Sequence, residues 1–459
     1  VELSHNLTGY AGGLNVTPIR SEPHLTHLID DSALNWLESV SDIWKGARVN
    51  DGVGVLQKGL PHLLGNINVQ NALLVFGHIF QLCETWRVSL TLPRPPKDLG
   101  AIRHVFASAL SSVLGNGNAL ALSRKDRVIV VLVDGLGSEN LRQRAGHAPF
   151  LNDSFRSGKS ISASFPATTS VNIGSFATGL MAGEHGLVGH QVWDRLENER
   201  INLLVGWNER TDPQKWQPHR LVSEEAFSKG ITCNVIAAEE YRGTGFTKAT
   251  MRQANFIAAD SIDDRIAQAI STANSKEASI SYVYFPELDK YGHQNGWTST
   301  GWAALLEQID AGLKRLASKL GGAGLIITAD HGMVETARDR QLRLDSELAG
   351  LSLEFFGGDT RCSYLYFAEP NDASVAIERL SSLSYAFGAH HTSELIEGGW
   401  YGSIGSQAQN RLPEVILLAR SNYTLYHSNF SKQRAFDMIS HHGSISDTEL
   451  RVPLIRIGF

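Results

Sequence analysis

Cysteine is scarce in this chain: its three residues, Cys83, Cys233 and Cys362, lie far apart and make no CxxC pair. That excludes a disulfide framework and a thiolate zinc site, and a reducing, cytoplasmic setting is expected. Long apolar runs are missing as well. None reaches the roughly 18 residues of a membrane-crossing helix, and the first residues lack a basic segment followed by an apolar one, so neither a membrane anchor nor a signal peptide is expected. Nor is there an excess of positive charge. Lys and Arg number 41 against 47 Asp and Glu, a formal net charge of -6, which argues against binding nucleic-acid duplexes. Internal repeats and low-complexity tracts are absent, which removes the solenoid and fibrous classes.

What remains is the composition of a soluble enzyme, 42% hydrophobic and 19% charged over 459 residues, enough for one large α/β domain with an extension. The closely spaced prolines of "TLPRPPKDLG" (91–100) impose extended backbone and mark a boundary. Residues 1–92 are read as an N-terminal extension of unknown role. It contains helix-like stretches, "SALNWLESVSDIW" and "NVQNALLVFGHIFQLCETW", but no cluster of chemically suggestive side chains.

From residue 99 to 459 the pattern becomes apolar runs of strand length alternating with amphipathic helices. This predicts an α/β fold, a mostly parallel central sheet with helices on both faces. The strand candidates are "RVIVVLV" (127–133), "TCNVIAA" (232–238), "SISYVYF" (279–285), "GLIITA" (324–329), "CSYLYF" (362–367) and "EVILLA" (414–419). Between two of them, Leu306, Ile309, Leu313 and Leu316 recur at helical steps and define one apolar face. Residues 335–440 are expected to complete the sheet and wall the substrate pocket.

Sites in open sheets form beyond the carboxyl ends of the strands, and the chemically suggestive residues fall there. "VIVVLVDGLG" closes a strand on Asp134. "FPELDKYGHQNG" follows another and carries Asp289 and His293 four apart, on one face if helical. "LIITADHGM" runs a strand into Asp330 and His331, and "ISHHGSISDTELRVPLI" offers His441 and His442 ahead of a final apolar strand. Each pattern alone has a bland reading as a helix cap, surface pair or loop. Together they supply carboxylates and imidazoles without a thiol, the donor set for two neighbouring divalent ions such as zinc. A further stretch, "FPATTSVNIGSFATGL" (165–180), sets Thr168 and Thr169 at a helix start, where adjacent hydroxyls serve as a cap or as a nucleophile.

In the order "VDGLG", "TTSVNIGSFATGL", "DKYGH", "TADHG", "HHGS", residues 99–459 resemble the alkaline phosphatase superfamily, specifically its nucleotide pyrophosphatase/phosphodiesterase-like branch of bacterial type. The resemblance implies an alkaline-phosphatase-like catalytic domain and a metal-dependent hydrolase of phosphodiester or nucleotide pyrophosphate bonds. Its nucleophile lies nine positions before Thr178, at Thr169 rather than Thr168 or Ser164. Asn172, three positions on, would bind a non-bridging phosphoryl oxygen. Two divalent ions, zinc above all, would be held by Asp134, Asp330, His331 and the Thr169 oxygen, and by Asp289, His293 and His442, with His441 as fallback for the last.

The implied reaction is in-line attack by the Thr169 alkoxide and hydrolysis of a phosphothreonine. The implied partner is a small phosphate-ester or nucleotide substrate, not a membrane. The chain has "TSVN" where animal-type members of the branch have "TFPN", which removes the basis for a base-stacking aromatic there. It also lacks a sulfatase CxPxR motif and an assignable set of third-site magnesium ligands. His185 and His190 read as structural, His390 and His391 as loop residues, and Arg361 as an anion binder or a salt-bridge partner. Two other readings use the same residues: a phosphonate hydrolase of the superfamily, and a catalytically silent metal-binding protein.

Overall fold

Every position of "RVIVVLV" after its arginine is Val, Ile or Leu and is fully buried, the pattern of a strand covered on both faces. It is the middle strand of a seven-stranded sheet. The computed structural model describes residues 92–96, 100–156 and 159–459; the two helix-like stretches of the extension and Cys83 lie outside them. In chain order the strands are β1 (Arg127–Val133), β2 (Lys159–Ser162), β3 (Thr232–Ala237), β4 (Asn255–Ala258), β5 (Ser279–Phe285) and β6 (Gly324–Thr328). A second group, β7 (Leu353–Gly358), β8 (Cys362–Phe367), β9 (Phe387–His391) and β10 (Val415–Ala419), precedes β11 (Arg451–Ile457).

The central order is β2-β11-β6-β1-β5-β3-β4. β1 pairs in parallel with β5 and β6, and β3 in parallel with β4 and β5, whereas β11 runs antiparallel to both of its neighbours. The parallel β6-β1-β5 trio therefore delivers three chain segments to one edge of the sheet.

Five helices matter for the site: α1 (Val105–Leu114), α2 (Thr169–Thr178), α3 (Ile262–Ala273), α4 (Glu287–Asn295) and α5 (Thr300–Ala317). Side chains alternate across a strand, so Tyr282 and Phe285 of β5 point to opposite faces. The Tyr282 ring meets Phe106 of α1 and Phe176 of α2, while the Arg265 guanidinium of α3 lies over Phe285, which places helices on both faces. On α5 the stripe Leu306, Ile309, Leu313 and Leu316 is fully buried, worth about 1.5–3 kcal/mol for each side chain removed from water. Among the described residues no helix is long and apolar enough to cross a membrane.

Residues 335–440 do not complete the central sheet. They form a separate antiparallel sheet, β7-β8-β10-β9, with its own core around Leu365, Phe387 and Leu417. "CSYLYF" and "EVILLA" are strands, but of this second sheet; apolar runs specify burial and not a partner. The seventh place in the central sheet is filled by β11, whose antiparallel entry returns the chain beside β6.

His185 sits fully buried in the short helix after α2. Its Nδ1 accepts from the Leu187 amide at 3.1 Å, so Nε2–H donates to Ser175 Oγ at 3.1 Å and the ring is neutral. Burial first, and the positive potential of His219 second, push its pKa from 6.5 to about 3. Between those values the unfolded chain takes up a proton that the folded chain refuses, so stability falls as pH drops below 6.5. The expected cost is about 1.4 kcal/mol per pH unit. Urea denaturation of wild type and His185→Gln at pH 6.5 and 5.5 checks this; identical pH slopes in the two proteins would contradict the neutral, buried assignment.

Candidate active site

β1 leads into Asp134, β6 runs into Asp330 and His331, and β5 leads into α4, which carries Asp289 and His293. Because β6, β1 and β5 are adjacent and parallel, these five residues meet beyond one sheet edge. Close approach of the two loops depends on glycine. A Cβ on Gly137 would lie 2.6 Å from Gly332 Cα, and one on Gly332 would lie 2.0 Å from the Thr448 carbonyl oxygen, both impossible contacts.

His442 reaches the cluster from the turn before β11, and Thr169 reaches it as the first residue of α2. Asp134, Asp330 and His331 bring ligand atoms within 4.8 Å of one another, and so do Asp289, His331 and His442. His331 Nε2 lies 3.1 Å from Thr169 Oγ1, 3.3 Å from Asp134 Oδ1 and 3.6 Å from Asp330 Oδ2. Asp289 Oδ1 lies 3.3 Å from His293 Nε2 and 3.6 Å from His442 Nε2. The seven residues named from the sequence as metal ligands thus lie together.

The protons of this cluster can be assigned. A backbone carbonyl only accepts, and the Nδ1 of each imidazole faces one: His293 faces Ser440 O at 2.7 Å, His442 faces Ala167 O at 2.9 Å and His331 faces Gly332 O at 3.3 Å. In its neutral form each ring therefore carries its proton on Nδ1 and turns the Nε2 lone pair inward. Facing them are Asp134 Oδ1, Asp289 Oδ1 and Asp330 Oδ2, three buried oxygens without a hydrogen-bond partner. Three imidazole Nε2 atoms and three carboxylate oxygens converge here, with the Thr169 hydroxyl beside them. Burial first, then the charges of Asp330 and Asp289, drive the Asp134 carboxyl well above its usual range. Burial and the neighbouring His331 hold His442 well below the usual histidine value. This donor set, oxygen and imidazole nitrogen with satisfied outer partners, fits divalent cations such as zinc.

Thr168 is the N-cap residue of α2, yet its side chain makes no capping bond. Neither threonine serves as a cap: Thr168 Oγ1 is buried without a partner and Thr169 Oγ1 faces His331. The first-turn amides and the positive end of the helix dipole are thereby left to an anion. Asn172, expected to hold a phosphoryl oxygen, has another task. It is fully buried, its Oδ1 accepts from Ser164 N at 2.6 Å and its Nδ2 donates to Thr168 O at 3.0 Å. The amide is consumed in fixing the 164–168 loop.

His441 points away, with Nδ1 at 2.8 Å from Thr360 Oγ1 and Nε2 at 3.2 Å from Met438 O. His390 and His391 sit on β9, partnered by Glu394 and Ser374. Arg361 makes a bidentate pair with Glu449 at 2.8 and 2.9 Å, both fully buried. Glu449 also accepts from Ser444 N at 2.9 Å, so the pair secures the turn behind His442.

A cavity of about 1030 Å³ opens from the cluster. Asp359 and Thr360 beside the second sheet form part of its wall, Arg200 and Lys290 add positive charge, and Tyr241, Phe246 and Phe256 make it largely apolar. The sequence reading took one wall residue, His190, as structural and passed over another, Tyr284. His190 faces the cavity with Nε2 2.8 Å from Asn202 Nδ2, and Tyr284 donates its hydroxyl to Asp134 Oδ2. The signal for Tyr284 was in "SISYVYF": two tyrosines at the strand period put hydroxyls on one face of a buried strand.

Metal analysis of purified protein is expected to find about two divalent ions per chain. Asp330→Asn or His442→Ala should lower that stoichiometry and, in calorimetric titration, weaken zinc binding about 10–100-fold or more. Unchanged binding in both variants would remove the cluster as a metal centre.

Comparison with known proteins finds relatives of this chain. A family model described as "Type I phosphodiesterase / nucleotide pyrophosphatase" matches residues 128–445. The chain is 25% identical over 224 residues to ectonucleotide pyrophosphatase/phosphodiesterase family member 3 of Rattus norvegicus, covering 46% of the chain and 25% of that protein. It is 28% identical over 204 residues to family member 5 of Homo sapiens (41% of each) and 22% identical over 256 residues to the bis(5'-adenosyl)-triphosphatase of Bos taurus (52% and 54%). The chain thus spans a quarter to about half of the length of these curated relatives. Murine ectonucleotide pyrophosphatase/phosphodiesterase 5 superposes with a TM-score of 0.59 at 18% identity, covering 73% of this chain and 88% of that one, a shared fold. An inactive form of that murine protein has been solved in complex with AMP, with the same TM-score.

Proposed function

The chain belongs to the type I phosphodiesterase / nucleotide pyrophosphatase family, and from that premise we propose that it is a metal-dependent hydrolase of phosphodiester or nucleotide pyrophosphate bonds with Thr169 as nucleophile. The observation that carries this reading is the convergence of Thr169 Oγ1 with three imidazole Nε2 atoms and three carboxylate oxygens at the mouth of a cavity large enough for a nucleotide.

Two divalent cations, one among Asp134, Asp330, His331 and Thr169 and one among Asp289, His293 and His442, supply Lewis acidity when bound and neutralise charge on the phosphoryl group. Thr169 Oγ1 attacks phosphorus, the alcohol or nucleotide on the opposite side departs, and the phosphothreonine is then hydrolysed by water. The first-turn amides of α2 face the phosphoryl oxygens and stabilise the charge that grows on them. Asn172 acts one step removed, holding the 164–168 loop so that Thr169 projects from a fixed helix start. Tyr284 orients Asp134 through its hydroxyl and leaves the other carboxylate oxygen to face the cluster.

The apolar wall supplied by Tyr241, Phe246 and Phe256 suits the organic group of a diester better than a bare monoester. The relatives' names, pyrophosphatase/phosphodiesterase and bis(5'-adenosyl)-triphosphatase, support a nucleotide-type substrate.

Thr169→Ala is expected to abolish turnover of bis-p-nitrophenyl phosphate and of nucleoside-monophosphate esters, by about three orders of magnitude or more, with bound metal retained. Full activity in that variant refutes the nucleophile. Running phosphonoacetate in the same panel separates the diesterase from a phosphonate hydrolase, and silence of the zinc-loaded wild type on every substrate favours a non-catalytic scaffold.

A further inference from the structure

His190 borders the cavity, partly exposed, in the same wall as Thr168 and Thr169. A short tether brings it there. Ser170, which follows Thr169, donates its hydroxyl at 2.7 Å to the carbonyl of Gly189, which precedes His190. Beyond His190 the chain turns into a hairpin of Gln191–Asp194 and Glu199–Asn202, in which Gln191 pairs with Asn202. The Leu203 amide donates to His190 O at 2.9 Å, so the hairpin holds this backbone from the other side.

The hairpin also decides which ring nitrogen carries the proton. Asn202 Oδ1 accepts from the Leu204 and Val205 amides at 3.0 and 3.3 Å; an amide N–H only donates, so the side-chain oxygen must occupy that place. Asn202 Nδ2 is thereby turned to His190 Nε2, at 2.8 Å, and donates to it. A ring nitrogen that accepts carries no proton, so the neutral imidazole holds its proton on Nδ1. That N–H is not buried, and it has no hydrogen-bond partner among the described residues. Asn172 meanwhile commits its amide to residues 164–168 and leaves the phosphoryl group of an ester without the side-chain donor expected from α2.

Resting on the diesterase reading above, we propose that His190 is a further catalytic residue: its Nδ1–H donates to a non-bridging oxygen of the phosphoryl group that Thr169 attacks, and Asn202 is the positioning residue that fixes this tautomer. Charge grows on those oxygens as the bond to Thr169 forms. A donor already oriented by a side chain and by its own backbone meets that charge without reorganising. The opposite tautomer would turn a lone pair toward the same anion.

The test assays bis-p-nitrophenyl phosphate with zinc-loaded wild type, His190→Ala, His190→Asn and His190→Gln. An asparagine amide nitrogen falls where Nδ1 lies and a glutamine amide nitrogen where Nε2 lies, so only asparagine keeps the donor. His190→Ala and His190→Gln are expected to lose about a hundredfold or more, mainly in kcat and with metal retained, while His190→Asn stays within about tenfold of wild type. Equal losses in all three variants, the mark of a structural role, or no loss in His190→Ala overturn the proposal.

Two readouts stand apart from turnover. Orthovanadate, an oxyanion that imitates the phosphoryl group under attack, is expected to bind His190→Ala about tenfold or more weakly than His190→Asn; equal affinity counts against the donor. Nitrogen-15 NMR at pH 8, with the His190 signals identified by their loss in His190→Asn, should show the Nδ1–H tautomer in wild type and a mixture in Asn202→Ala. Any other state in wild type overturns the assignment, and an unchanged tautomer in Asn202→Ala removes Asn202 from it. A wild type that neither hydrolyses the ester nor binds vanadate ends the diesterase reading and this proposal with it. One that does either, with His190→Ala its equal, ends the proposal alone.

Discussion

The site is organised around an electrostatic deficit of protons. Three imidazoles spend their Nδ1 protons on backbone carbonyls, three carboxylates each keep one oxygen unpartnered, and all six lone-pair atoms point inward. In a water-excluded pocket such an arrangement is strongly unfavourable unless cations share it. The directions of the ionisation shifts express the same strain: the Asp134 carboxyl is pushed toward neutrality, while the His442 ring refuses a proton although carboxylates lie beside it. The protein tolerates this because the sheet and its helices hold every participant in place.

That scaffold is economical in its logic. Three adjacent parallel strands end at the same level, so their following loops converge without long excursions. Gly137 and Gly332 let two of these loops touch, backbone against backbone. Thr169, the proposed nucleophile, comes from a different direction, on a helix whose start is fixed from within by Asn172, and His442 is steadied from behind by the buried Arg361–Glu449 pair. Breaking such a pair by removing one partner typically costs about 3–5 kcal/mol, which makes it a firm anchor for a ligand-bearing turn.

Much of this was legible in the sequence because strand-terminal chemistry is local. "VDGLG", "TADHG" and the i, i+4 pair Asp289–His293 each place a side chain at the end of an apolar run, and a parallel sheet brings such ends together where the strands are neighbours. Residues whose roles depend on contacts distant in the chain were not legible. Asn172 has the chemistry of an oxyanion binder, and only the path of residues 164–168 over it shows that its amide is already committed. Arg361 was equally suited to a ligand or a partner until Glu449, 88 positions later, was placed beside it. The strands of residues 335–440 were visible as apolar runs. Their assembly into a second sheet was not, because hydrophobicity records burial without naming the neighbour.

The position of β11 also governs when the centre can exist. This strand is inserted between β2 and β6, and the turn that precedes it carries His442, more than 300 positions after Asp134. The early segments can gather their carboxylates and His293, but the second imidazole that faces Asp289, His442, arrives only once the distal part of the chain has threaded into the interior of the sheet. Closing so long a loop is entropically costly and kinetically late. The order of assembly therefore makes a complete set of the seven candidate ligands a mark that the whole domain has folded.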